Sequence, residues 1–168
     1  YYASRGLGDV YKRQGIYFDI DVEVIKNIDD LLQHEAFFGF ETKEFVNTGV
    51  GFGATAHHPT VQAMIAEYDG VLDGSHGTIG CPHLNTRALT KLGLVQNGNK
   101  QVVAGAVIYP ISVFNPYDDP TGRLNVTPET YSIHWFAKSW QSKSTIVRSK
   151  ISKPLHRIFG TDFFRKKK

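Results

Sequence analysis

The chain has 168 residues, of which 41% are hydrophobic and 21% charged, with a formal net charge of +3 at pH 7. That length can build one domain with a real core, and the composition excludes a wholly disordered chain. Cys81 is the single cysteine, which excludes an intrachain disulfide and predicts a reducing, cytoplasmic location.

The charge is distributed unevenly along the chain. From Lys138 onward, ten Lys and Arg residues stand against one Asp, a formal charge of about +9, which leaves about −6 for residues 1–137. An acidic body with a basic tail predicts an anionic partner surface.

The first fourteen residues end in Leu-Gly-Asp-Val-Tyr-Lys-Arg-Gln, which resembles a translated sequencing adapter. We therefore interpret residues 1–14 as a non-native leader and exclude them from the fold argument. On this interpretation the chain is the C-terminal part of a longer protein. Its main domain covers residues 15–140, and residues 141–168 form the basic tail.

An alternation of apolar and polar residues over Gly15–Val24 predicts a strand with one buried face. Asp19 and Asp21 then share a face, with their Cα atoms about 7 Å apart. Carboxylates at that separation repel unless a cation lies between them or one is protonated. Hard oxygen ligands at a strand end suit Mg²⁺ or Mn²⁺, especially when phosphate completes the shell. The alternative is an edge strand with solvated acids.

Strands and helices interleave along the rest of the chain, which predicts the α/β class. Pro59 opens the clearest helix, with Val61, Met64, Ile65 and Tyr68 at i, i+3, i+4 and i+7 spacing, and Gly70 is its predicted stop. The other predictions are a short helix start at 27–32, strands at 36–40, 45–53, 102–109 and 131–137, and a helix from Asn85 or Thr86 to Lys91.

The basic tail has apolar residues at helical spacing, although Pro154 interrupts or starts the helix. They are Val147, Ile151, Leu155 and Ile158. Basic residues beside such a stripe predict an interfacial segment on anionic lipid, at the inner face of the membrane. The alternative is a solvated charged terminus with a few packing residues. Nucleic-acid binding is not expected, because no recognised module accompanies the basic residues.

Four segments follow one another along the chain. They are Gly-Ile-Tyr-Phe-Asp19-Ile-Asp21-Val-Glu-Val, Phe-Val-Asn47-Thr-Gly, Ile-Tyr-Pro110 followed by Phe-Asn-Pro116, and Thr-Tyr-Ser-Ile-His134-Trp-Phe-Ala-Lys-Ser139-Trp140. Together they resemble glycosyltransferase family 32, which includes bacterial capsular and lipopolysaccharide enzymes with an Asp-x-Asp motif. The resemblance covers residues 15–140 and implies a partial GT-A-type mixed sheet with flanking helices.

The resemblance implies retaining transfer of a hexose from a UDP- or GDP-sugar to a glycan or lipid-linked glycan, with Mn²⁺ or Mg²⁺ on the diphosphate. It assigns the metal to Asp21 and assigns Asp19 to the ribose or to a metal-bound water. His134 and Ser139 match positions near the metal and the diphosphate. Trp140 would direct its indole N–H at a phosphate oxygen. Asn47 would hydrogen-bond donor-sugar hydroxyls, or else serve only as a turn residue.

The chain departs from this family in several places. Trp135 follows His134 where a second histidine is common, and Lys138 replaces a common glycine. Family members also carry an upstream nucleotide-binding segment in the place of residues 1–14, so the chain is expected to be a glycosyltransferase domain truncated at its N-terminal side, with an inactive fragment as the alternative.

Two rival interpretations stay open. A haloacid dehalogenase-like phosphatase would use Asp19 as nucleophile and Asp21 as acid and base, since Phe-Asp-x-Asp is also that family's motif. Against it, Val22-Glu23 stands where Gly-Thr or Thr is usual. The other rival is a carbohydrate- or lipid-surface-binding fragment without turnover.

Overall fold

The structure is a computed structural model that describes residues 2–69, 71, 79–137 and 143–161. Its elements, in chain order, are α1 (Tyr2–Arg13), β1 (Gly15–Tyr17), β2 (Val22–Val24), a 3₁₀ helix (Asp29–Gln33), β3 (Ala36–Gly39), β4 (Phe52–Ala54), α2 (Pro59–Asp69), α3 (Cys81–Lys91), β5 (Gln101–Val103), β6 (Ala106–Tyr109), α4 (Ile111–Phe114), β7 (Tyr117–Asp118), β8 (Arg123–Leu124), β9 (Ser132–His134) and α5 (Lys143–Phe159).

The principal sheet of the described residues has the strand order β1-β4-β3-β6-β5. β3 and β6 are parallel, and the other neighbouring pairs are antiparallel. Two small antiparallel pairs accompany this sheet, β2 with β9 and β7 with β8. A mixed sheet with flanking helices confirms the α/β class.

All four residues of the central strand β3 are buried. Since consecutive side chains of a strand point to opposite faces of the sheet, both faces of β3 are covered. Phe38 packs with Phe52 and with buried residues of α1, α2 and α3. Phe37 lies in a second apolar cluster, stacked on Phe114 at 5.7 Å between ring centroids. The two clusters give the sheet a core on each face.

Residues 2–13, assigned above to the leader, form a helix that packs on the body of the domain. Leu7 is fully buried, and Val10 is 5% exposed, both in the cluster around Phe38. The Tyr11 carbonyl accepts the His57 N–H at 2.7 Å. The non-native origin of the segment stays a prediction.

The predicted strand over Gly15–Val24 is wrong as one element. β1 belongs to the principal sheet and β2 to the small sheet with β9, and a turn connects them. The Val22 N–H donates to the Asp19 carbonyl at 3.0 Å, which closes that turn. Ile20, which the alternation placed in the core, is fully exposed. Asp19 and Asp21 therefore lie on a turn and do not share a strand face.

The strand predicted over residues 102–109 is a hairpin of β5 and β6. Ala104 and Gly105 have φ angles of 46° and 86°, and such positive values at two consecutive residues form the tight turn that matches strand twist. Because Ala and Gly are small and apolar, they did not interrupt the predicted apolar run.

The predicted helix over Pro59–Asp69 is confirmed, with Val61, Met64 and Tyr68 buried; its predicted stop, Gly70, lies outside the described residues. α3 ends at Lys91 as predicted but begins earlier, at Cys81, with Pro82 in its first turn.

Four other segments were predicted with less accurate boundaries. The 3₁₀ helix falls at the predicted helix start, and β3 lies within the predicted strand at 36–40. The predicted strand at 131–137 shortens to β9. The predicted strand at 45–53 is wrong over most of its length, because residues 47–51 form a loop and β4 begins only at Phe52. Helix α5 forms in the tail with Pro154 inside it. Among the described residues, no helix is both long and apolar enough to cross a bilayer.

Candidate metal centre

The turn after β1 presents the two carboxylates of the Asp-x-Asp segment. The Asp19 N–H donates to the Gly49 carbonyl at 3.0 Å, which ties the turn to the loop before β4. The side chain of Asp19 accepts the Tyr17 hydroxyl at Oδ1, at 2.8 Å. Burial and the neighbouring Asp19 carboxylate raise the pKa of Tyr17, so this hydroxyl stays a donor. The orientation of Asp19 is thus fixed from two sides.

His134 reaches this turn from near the opposite end of the domain. In the register of the small sheet His134 pairs with Val22, the residue directly after Asp21. The Nε2 atom of His134 is 3.2 Å from Asp21 Oδ1, and its side chain is 8% exposed. Its ring packs on Phe136 with 4.0 Å between centroids.

The backbone after β9 also holds Asp21. The Ala137 N–H donates to Asp21 Oδ2 at 2.8 Å, and the Trp135 N–H donates to the Asp21 carbonyl at 3.0 Å. Phe136, between them, has a φ of 50°, a left-handed conformation that is unusual for an aromatic residue. The bend at Phe136 turns the Ala137 amide toward the carboxylate.

One ligand atom each from Asp19, Asp21 and His134 lie within 4.8 Å of one another. Two carboxylates this close are repulsive without a positive charge between or beside them. Carboxylates are donors for Mg²⁺ and Mn²⁺, whereas imidazole favours transition metals, so the mixed set suits Mn²⁺ better than Mg²⁺. The donor set therefore fits a divalent cation.

The second nitrogen of His134 has an unusual environment. A ligating histidine commonly donates its other N–H to a carbonyl or carboxylate, which fixes the ring. His134 Nδ1 is buried and has no hydrogen-bond partner among the described residues. The ring is instead oriented by Asp21 on one side and by Phe136.

Glycine at position 49 is required by the carboxylate of Asp19. A Cβ atom added to Gly49 would overlap Asp19 Oδ2 and come within 3.4 Å of Asn47 Oδ1. Any side chain here displaces one of the candidate ligands.

Asn47, predicted to face a donor sugar, is buried beside this glycine. Its Oδ1 accepts the Gly49 N–H at 2.9 Å and the Cys81 thiol at 3.2 Å. These bonds show a loop-holding role for the amide oxygen, and the contact with a sugar stays a prediction. Ser139 and Trp140, the other two predicted site residues, lie outside the described residues.

Glu41 is a site residue that the motif analysis missed. Burial raises the pKa of its carboxyl, and a hydrogen bond from Asn47 and the proximity of His134 oppose that rise, while Asp19 adds to it. Glu41 is thus a third acid close enough to Asp19 and His134 to interact with them electrostatically. The sequence did offer a signal for Glu41. It directly follows the buried run 36–40, at the end of a central strand.

A cavity of about 670 Å³ lies near the candidate metal centre, although none of the three candidate ligand residues lines it. Glu41 and Phe136 line it, so it borders both the third acid and the ring packed on His134. Its wall also includes Asn115, whose Nδ2 donates to the Glu41 carbonyl at 3.0 Å. Asn115 Oδ1 is buried and has no partner within the described part of the chain. The β7–β8 hairpin also lines the cavity, through Tyr117 and the acids after it.

Comparison of the chain with protein-family models, with curated proteins and with solved structures finds no match. The resemblance to glycosyltransferase family 32 therefore rests on the four motifs in the sequence.

Proposed function

We propose that this chain is a metal-dependent glycosyltransferase of the GT-A type that takes a hexose from a UDP- or GDP-sugar, with retention. The observation that carries the proposal is the convergence of Asp19, Asp21 and His134 within 4.8 Å. The first and last motifs of the resemblance are more than a hundred residues apart, yet their acids and histidine meet. The mixed sheet with flanking helices is compatible with a GT-A fold.

The donor's diphosphate would lie at the metal centre. A bound Mn²⁺ or Mg²⁺ would act as a Lewis acid that neutralises charge on the leaving diphosphate. Asp21 and His134 would hold the ion, while Ala137 fixes one oxygen of Asp21 by its N–H. Asp19, oriented by Tyr17, would be the second acid. Ser139 and Trp140 would complete the diphosphate contacts.

The nearby cavity is the proposed place of the sugars. Its volume of about 670 Å³ lies within the range of small-molecule sites. Glu41, Asn115 and Asp118 can accept hydrogen bonds from sugar hydroxyls, and the unpartnered oxygen of Asn115 is a buried acceptor that a hydroxyl would satisfy. Tyr117 and Phe136 supply apolar ring surface. The acceptor is proposed to be a glycan or lipid-linked glycan.

The test is calorimetric titration of UDP and GDP into the full chain, with and without Mn²⁺. We expect binding that requires Mn²⁺ and that is lost in Asp21→Asn, because this substitution removes a charge from the metal's ligand set. Glu44→Gln removes an exposed acid outside the centre and should bind like the wild type.

Two results would contradict the proposal. One is nucleotide binding that persists without metal or in Asp21→Asn. The other is release of phosphate from an aryl phosphate that disappears in Asp19→Asn, which would favour the phosphatase. The structure offers that enzyme little support, because β1 is an edge strand, antiparallel to β4.

A further inference from the structure

Helix α5 is docked on the domain by its polar side. The Lys153 ammonium contacts Asp119 at 3.1 Å and the Tyr117 hydroxyl at 2.7 Å. The Arg157 guanidinium donates to the carbonyls of Thr121 and Gly122 at 3.0 to 3.2 Å. These contacts attach the helix to the β7–β8 hairpin.

The apolar side of the same helix points away from the domain. Ile151 is 65% exposed, Leu155 36% and Ile158 73%. Their spacing of four and three residues places them on one stripe of the helix. We name these three side chains the α5 stripe. A helix that packs on its own domain normally buries its apolar side. Helix α5 does the reverse, since its polar side contacts the domain and its apolar side is exposed.

We propose that the α5 stripe binds the surface of an anionic membrane, with the helix lying in the plane of the interface. The choice of occupant rests on charge complementarity. Residues 143–168 contain nine Lys and Arg residues and one Asp, and seven basic residues are left once Lys153 and Arg157, which contact the domain, are set aside. Arg148 is exposed one turn before the stripe, on its flank. A basic amphipathic helix with an exposed apolar stripe is the pattern of interfacial helices on anionic lipid.

A second copy of the chain is a weaker fit for this surface. Two α5 helices placed stripe to stripe would bring together two strongly basic segments, whose like charges repel. Anionic headgroups would instead neutralise the basic residues while the acyl chains receive the stripe.

Membrane binding would also orient the cavity beside the metal centre. The β7–β8 hairpin that receives α5 contributes Tyr117, Asp118 and Asp119 to the cavity wall. A membrane-bound α5 therefore sets the cavity beside the lipid surface. If the proposed transferase activity holds, this placement selects a lipid-linked acceptor; the membrane binding itself does not depend on that activity.

The test is co-sedimentation of the full chain with vesicles of equal parts phosphatidylcholine and phosphatidylglycerol, and with phosphatidylcholine alone. We expect binding to the anionic vesicles that weakens at high salt, and far less binding to the neutral ones. The double variant Ile151→Glu, Ile158→Glu should lower the partition coefficient by more than about tenfold, since both side chains would otherwise enter the apolar layer.

Two further variants serve as controls. Val95→Glu, Val102→Glu adds the same charge at apolar residues that are 59% and 69% exposed outside α5, and should bind like the wild type. Ile151→Leu, Ile158→Leu keeps the stripe apolar and should also retain binding. Circular dichroism checks that each variant is folded.

Three results would overturn the proposal. They are failure of the wild type to sediment with anionic vesicles, equal binding by the glutamate variant of the stripe, and a wild-type dimer in solution that this variant disrupts. Mn²⁺-dependent nucleotide binding, measured on the same samples, should be unchanged by the stripe substitutions, so failure of the membrane proposal and failure of the transferase proposal are separate results.

Discussion

At the scale of single residues, the candidate metal centre depends on groups that hold its ligands as much as on the ligands. Tyr17 orients Asp19, and the Ala137 N–H orients Asp21. Gly49 leaves the space that the Asp19 carboxylate occupies. A ligand set supported in this way has less freedom to lose when a cation binds, which favours tight binding.

The role of Gly49 leads to a prediction about metal affinity. Gly49→Ala places a methyl group against Asp19 Oδ2, so the carboxylate must move. We expect Mn²⁺ affinity to fall by about tenfold or more, as is typical when the support of a ligand is disturbed. Electron paramagnetic resonance of free Mn²⁺ measures this directly.

Gly8→Ala is the matched control, because a Cβ at Gly8 meets no atom within 4 Å. Gly8 lies inside α1, where alanine is favoured over glycine, so this variant should keep its Mn²⁺ affinity and its stability. Unchanged Mn²⁺ affinity in Gly49→Ala would show that Asp19 is not a ligand at this position.

The residues of this site differ in how well they could be predicted. Asp21 and His134 come from motifs that the resemblance places at one metal, and the structure sets them 3.2 Å apart. The shared strand face predicted for Asp19 and Asp21 is wrong, since both lie on a turn, whereas His134 lies in a strand as predicted. Glu41 belongs to no quoted motif, and its relation to His134 depends on the pairing of distant segments.

At the scale of elements, patterns between residues close in sequence correctly predicted the elements that such nearby contacts determine. Pro59 and the apolar spacing after it predicted α2, because the helix buries one side along its own length. The break between β1 and β2 was not predicted, since alternation continues through the turn and leaves Ile20 exposed. Which strands pair, and the parallel pairing of β3 with β6, depend on contacts that no local pattern describes.

The packing of α2 on α3 leads to a prediction about pH. Glu67 of α2 is 8% exposed and pairs with Arg87 and Lys91 of α3. Burial alone would raise the pKa of Glu67, but the hydrogen bonds and charges of Lys91 and Arg87 outweigh it and lower the pKa. The lowered pKa means that the ionised form stabilises the fold. That contribution is present above the unfolded-state value near 4.5 and is lost as the pH falls through the folded-state pKa.

We therefore expect Glu67→Gln to lower the free energy of unfolding by about 1 kcal/mol at pH 7, a modest figure because Arg87 and Lys91 are largely exposed. The difference from the wild type should shrink as the pH falls below 4.5. Urea denaturation at several pH values measures this. Glu129→Gln, an exposed acid in a loop, should show no such difference, and a pH-independent loss in Glu67→Gln would assign the effect to packing.

At the scale of the whole molecule, the chain combines an acidic body with a basic C-terminal helix. The candidate metal centre joins the two ends of the domain, since the turn after β1 and the segment after β9 meet at Asp21. The cavity and α5 share the β7–β8 hairpin, so the proposed catalytic site and the proposed membrane surface are neighbours.

The central claim is that both ends of the domain hold one metal ion, and paramagnetic broadening by Mn²⁺ tests it most directly. With small additions of Mn²⁺ to labelled protein, we predict that the backbone amide signals of Val22 and Ala137 broaden first and together. Their residues flank the ligands, and the Ala137 N–H bonds to Asp21 itself. Broadening that begins at other acids, such as Asp29 and Asp30, and spares these two amides would contradict the account.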